Sequence, residues 1–174
     1  MSTKQMQLIQ TLYDLLPKDE LSHYTELVEA LVELGYKPYK QAISDFDLLF
    51  KHKDTKKPIA KIGIHRGKGR FRMKYSSCND VPGRFITALR KDDASRRALK
   101  SRSFPHNEVK NYCGRCGDIC TSGGWGYLLK ADDGKDILRC GAYPADIPII
   151  NKQDVADVKR LMLEQHDYSL LSFS

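Results

Sequence analysis

The chain has 174 residues, 41% hydrophobic and 29% charged, a balance that excludes a disordered polypeptide and leaves room for a core that needs no disulfides. No apolar run approaches the roughly 20 residues of a membrane span. The first residues lack the apolar stretch and cleavage site of a secretory signal, so the expected setting is cytoplasmic. The net charge of +7 is unevenly spread: residues 1–50 carry 4 basic and 8 acidic groups, residues 51–110 carry 18 and 5, and residues 111–174 carry 7 and 9. A basic block of this kind is the footprint of an anion-binding surface; a well-solvated face is the plainer account of it.

Met6, Ile9, Leu12 and Tyr13, with Leu16 just beyond, recur at helical spacing and predict a first helix over 3–15, ended by Pro17. A second helix is expected over about 20–34, with Asp19 as its N-cap. Leu21, Tyr24, Val28, Leu31 and Leu34 form its apolar face, and Gly35 is placed to end it in a left-handed conformation. Residues 36–40 read as a connection.

From Phe46 the period changes to two. Phe46, Leu48, Phe50 and His52 alternate with Asp47, Leu49, Lys51 and Lys53. A second strand sets Ala60, Ile62 and Ile64 against Lys61, Gly63 and His65, and a third sets Phe71, Met73 and Tyr75 against Arg70, Arg72 and Lys74. Residues 54–58 form a polar turn, and Gly67-Lys68-Gly69 reads as a short hairpin loop. The three strands predict an antiparallel meander with its apolar face on the helices. The other face would show Lys61, His65, Arg70, Arg72 and Lys74 as neighbours. Like charges facing each other across a sheet are destabilising, and an anionic partner would relieve that cost.

Cys78, alone after the third strand, reads as a small buried residue. Asp80 and Pro82 mark a helix start, with Phe85, Ile86 and Leu89 as its apolar stripe. A second short helix from Asp92 or Asp93 would carry Arg96, Arg97, Lys100 and Arg102 on a strongly basic side. Near the C-terminus, residues 143–150 form an extended, proline-marked crossing. Asn151 then caps a last helix with Asp154 in its first turn and Val155, Val158, Leu161, Met162 and Gln165 on its buried side.

Four of the five cysteines fall between Cys113 and Cys140. Cys113 and Cys116 form a C-x-x-C turn with glycines after each, and Cys120 follows closely. Residues 124–129 and 136–140 read as two strands joined by a turn at Asp133-Gly134, which returns Cys140 beside the first cysteines. Thiolates grouped in a reducing compartment favour a tetrahedral structural zinc site. A redox C-x-x-C pair and reduced cysteines packed in a core are the alternatives.

Over these residues, about 28 in all, the chain resembles the knuckle-and-hairpin plan of zinc ribbons. The resemblance implies a structural Zn2+ on Cys113, Cys116, Cys120 and Cys140. The second knuckle has a single cysteine, with Tyr143 where another would stand, and this leaves His106 as a substitute for Cys120. A closed four-thiolate site keeps no position for water and so implies no catalysis.

The expected fold is α+β: an antiparallel sheet with helices on one face, plus a zinc-stapled β-hairpin. Residues 1–105 would hold the helices and basic sheet, residues 106–150 the four-cysteine module, and residues 151–174 a helix closing the same domain. No phosphate loop, H-E-x-x-H or nucleophile motif is present, so the reading leans away from an enzyme. The expected function is binding of an anionic partner, such as a nucleic acid, through Lys61, His65, Arg70, Arg72, Lys74, Arg96 and Arg97. One alternative is a small enzyme or ligand-binding domain with a pocket between sheet and helices, near His65, Tyr75 and Cys78. Another is a protein-interaction adaptor anchored by Trp125 and Tyr127.

Overall fold

The structure, a computed structural model, describes residues 1–42, 46–73, 82, 85, 126–130, 136–140, 145–149 and 151–171. Helix α1 spans Thr3–Leu15. Ser2 and Gln5 open it with a reciprocal capping box, in which each side chain satisfies the other's backbone N–H. Ile9, Leu12 and Leu16 are buried as the spacing predicts, but Met6 is exposed. Helix α2 spans Leu21–Glu33.

Asp19 is not the cap of α2. Glu20 holds that position, and no side chain bonds to the helix start. The physical reason lies one turn earlier: the Pro17 carbonyl accepts from the N–H groups of both Glu20 and Leu21, so a backbone turn leads directly into the helix. The Glu20 carboxylate is used elsewhere, accepting from the Gly69 N–H at 2.7 Å. Gly35 ends α2 at φ +85°, as expected.

The segment read as a connection is a strand. Strand β1 (Tyr36–Lys40) pairs antiparallel with β2 (Asp47–His52). Pro38 obscures the pattern because it cannot donate to a ladder. Hydrogen bonds from Lys53 to Gly35 and from Gln41 to Asp47 fix the phase of this pair. By the antiparallel alternation, Pro38 opposite Phe50 then falls at a non-hydrogen-bonded position, where no N–H is needed.

Strand β3 (Pro58–His65) follows, with a bulge against Phe50 and Lys51 that buries Ile59 and Ala60 together. The hairpin turn to β4 (Lys68–Met73) is Arg66-Gly67, not Gly67-Lys68-Gly69. Both residues have positive φ, 53° and 73°, the signature of a two-residue type I′ turn.

Strands β5 (Gly126–Lys130) and β6 (Asp136–Cys140) form a separate antiparallel pair, in agreement with the expected hairpin strands. Strand β7 (Ala145–Ile147), inside the expected extended crossing, pairs with β4. The larger sheet therefore has five antiparallel strands in the order β1-β2-β3-β4-β7. Its edges are a proline-bearing strand and a strand of three residues, both poor templates for pairing with another chain.

Helix α3 spans Lys152–Leu171, capped by Asn151 and Asp154, each side chain accepting from the other's N–H at 3.0 Å. It packs on α2 and reaches β3. One core joins Leu12, Leu27, Leu31, Val158, Leu161 and Met162 from the helices to Leu48, Phe50, Ile62, Phe71 and Met73 from the sheet. The fold is α+β. Of the segment expected to carry two further helices, Pro82 and Phe85 are described: the Phe85 N–H donates to the Pro82 carbonyl, and its ring is fully buried in the same core. No helix among the described residues is long and apolar enough to cross a membrane.

Candidate functional site

Strand alternation puts the inner-face residues on the helices and a second set on the outer face. Register aligns Tyr39, Leu49, Lys61, Arg72 and Asp146 in one row across all five strands. Asp47, Gly63 and Arg70 form the row beside it, and Lys37 opposite Lys51 lies on the other side. With strands about 4.8 Å apart, the row runs from an aromatic ring through two cations to a carboxylate.

The sheet brings together three of the expected basic residues. Lys61 faces Arg72 directly, and Arg70 is opposite Gly63. The face is not uniformly positive, however. Asp146 accepts two hydrogen bonds from Arg70, at 2.7 and 2.6 Å, a bidentate pair. Asp47 pairs with Arg72, and both side chains are largely buried. Gly63 makes the second pair possible, because a Cβ there would overlap the Asp47 carboxylate and the Phe46 carbonyl. Arg72 Nε is buried without a hydrogen-bond partner and lies 3.9 Å from Asp146 Oδ1.

Among the described residues, Lys61 is the cation of this group without a carboxylate. Its ammonium donates to the neutral Gln41 side chain at 2.7 Å. Burial pushes its pKa below the ordinary value, and the charges of Arg72 and Arg70 push the same way against the pull of Asp47.

The β1–β2 end of the face differs. Tyr39 is 39% exposed, and the Lys51 ammonium lies 5.4 Å from its ring centroid, within cation–π range. Lys37 and Lys51 are opposite each other. Among the described residues, no carboxylate forms an ion pair with either lysine. Sequence reasoning missed Lys37 and Tyr39 because it read their strand as a connection. The available signal was the alternation of Tyr36 and Pro38, both buried, with Lys37 and Tyr39.

His65 ends β3 opposite Lys68 and is exposed beside the hairpin turn, away from any space between sheet and helices. Lys74, Arg96 and Arg97 lie outside the described residues, as do Tyr75, Cys78 and Trp125. Tyr127 lies opposite Arg139 in the β5–β6 pair.

Of the expected zinc ligands, Cys113, Cys116 and Cys120, together with His106, lie outside the described residues. Cys140 ends β6 opposite Gly126. Among the described residues no three ligand-type side chains converge.

On the inner side, Tyr36, His52 and His166 form a ring cluster with centroids 5.3 to 5.7 Å apart. Tyr36 Oη lies 3.3 Å from His166 Nδ1. His52 Nδ1 accepts from the N–H groups of Asp54 and Thr55 and so shapes the β2–β3 turn. Burial pushes the Tyr36 hydroxyl up to about 12. Burial, then His52, pushes His166 below its ordinary value. The cluster ties α3 to the sheet edge.

Compared with known proteins, the chain matches no family model, no curated protein and no solved structure.

Proposed function

We propose that this is a non-enzymatic protein that binds an anionic partner, nucleic acid in the first instance, through its basic sheet face, and that a structural zinc staples the β5–β6 hairpin. The observation that carries the binding reading is the outer row of the sheet. Lys61 stands opposite Arg72 there and, among the described residues, its ammonium has only a neutral amide as partner. Three cations, Lys61, Arg70 and Arg72, meet two carboxylates, Asp47 and Asp146, on this part of the face. An anion would return to Lys61 the stabilisation that burial and its neighbours remove.

The zinc reading is supported by the antiparallel register that puts Cys140 level with Gly126, a few residues after the cysteine-rich 113–120 stretch in sequence. A set of four thiolates from Cys113, Cys116, Cys120 and Cys140 suits tetrahedral zinc, which would contribute folding energy to a small hairpin. A cytoplasmic setting, where clustered thiols stay reduced, fits this reading.

The test has two parts. Elemental analysis of protein purified without added metal is expected to give about one zinc per chain, lost in Cys113→Ser. Titration with heparin at low salt is expected to show binding. Absence of metal removes the staple, and absence of heparin binding removes the anionic partner.

A further inference from the structure

The basic face contains two kinds of cation. Arg70 and Arg72 are held by carboxylates that fix their side chains. Lys37 and Lys51 face each other beside an exposed tyrosine, and none of the described carboxylates pairs with them. A lysine not held by a carboxylate can neutralise a phosphate without giving up an ion pair, and each phosphate neutralised releases counterions condensed on the nucleic acid. Among the described residues, the β1–β2 end therefore has the cations without carboxylates, and the β3–β4–β7 end has the ion-paired arginines.

The β1–β2 end also has what a pure charge patch lacks. Tyr39 stands level with Leu49, and Lys61 follows in the same row. Ring, apolar neighbour and ammonium are thus laid out over two strand spacings, about 10 Å. The Lys51 ammonium sits over the same ring. A base stacked at Tyr39 would bring its phosphate close to Lys51 and Lys37.

Stacking on an aromatic ring next to lysines is how proteins hold unpaired strands, because every base offers a π-face and every nucleotide a charge. A duplex keeps its bases stacked inside and presents only charge. An acidic peptide also supplies charge, without a recurring π-face. We infer that the partner of the basic face is a single-stranded nucleic acid, and that Tyr39 is its stacking platform with Lys37, Lys51 and Lys61 as phosphate contacts. This inference rests on the anionic-partner reading and narrows it.

The experiment is fluorescence anisotropy with a labelled oligothymidylate and, separately, a duplex of equal length, on the full chain. Tyr39→Ser is expected to weaken single-strand binding on the order of tenfold, the loss of one stacked base, and to leave duplex binding unchanged. Tyr39→Trp, which keeps a ring, is expected to hold single-strand affinity near that of the wild type. Circular dichroism checks that each variant is folded. Equal single-strand affinity for wild type and Tyr39→Ser would overturn the inference and leave the anionic-partner reading standing. Equal loss on single strand and duplex would also overturn it. Failure of the folded wild-type protein to bind any of these polyanions would remove both.

Discussion

On the β3–β4–β7 half of the outer face, Arg70 and Arg72 each meet a carboxylate; on the β1–β2 half, Lys37 and Lys51 meet none among the described residues. The two halves share one sheet and one sign of formal charge. They differ in what the charges are for. Arginines held by Asp47 and Asp146 stabilise the sheet against its own repulsion. Lysines that none of the described carboxylates pairs with keep their field directed outward, where a partner can use it. Counting basic residues along the chain does not separate these roles; register and pairing do.

The largest effect is expected at Asp47. Its carboxylate is 5% exposed and compensates Arg72, which is 17% exposed. Removing one member of a buried ion pair leaves the other charge stranded. Asp47→Asn is expected to cost about 3 kcal/mol or more of folding stability, read by urea denaturation. A loss below about 1 kcal/mol would place the pair among the weak surface bridges.

A smaller effect of different character is expected at Asp146. Its pair with Arg70 is about one-third exposed on both sides, so solvent screens it and its loss costs little. Asp146→Asn is expected to change stability by less than about 1 kcal/mol and to tighten heparin binding, because it removes a negative charge from the basic face. Unchanged or weaker heparin binding would mean that the Asp146 charge does not weigh on the anion-binding surface.

Much of this architecture could be read from periodicity. Leu48, Phe50, Ile62, Phe71 and Met73 alternate along their strands and are all buried. The last helix, its Asn151 cap and its buried residues follow from local spacing alone, and the β5–β6 strands flank a strong Asp-Gly turn signal. The candidate site was less legible for two reasons. Pro38 broke the visible alternation of β1, so Tyr39 and Lys37 were missing from the expected face. Asp146 joins the face by a pairing 76 residues distant from Arg70, and no local pattern records a non-local partner. Asp47 was placed on the outer face by its strand parity, but its pairing with Arg72, 25 residues away, depends on the approach allowed at Gly63.

The most direct test of the division between the two halves is the salt dependence of oligothymidylate binding. It would be compared for wild type, the Lys37→Ala/Lys51→Ala double variant and Arg70→Gln. Each phosphate contact to a single strand contributes about 0.7 to the slope of log affinity against log salt. The double variant is predicted to flatten the slope by about 1.4, and Arg70→Gln to leave it nearly unchanged. A slope that stays the same in the double variant and falls in Arg70→Gln would contradict the account and place the contact on the paired half.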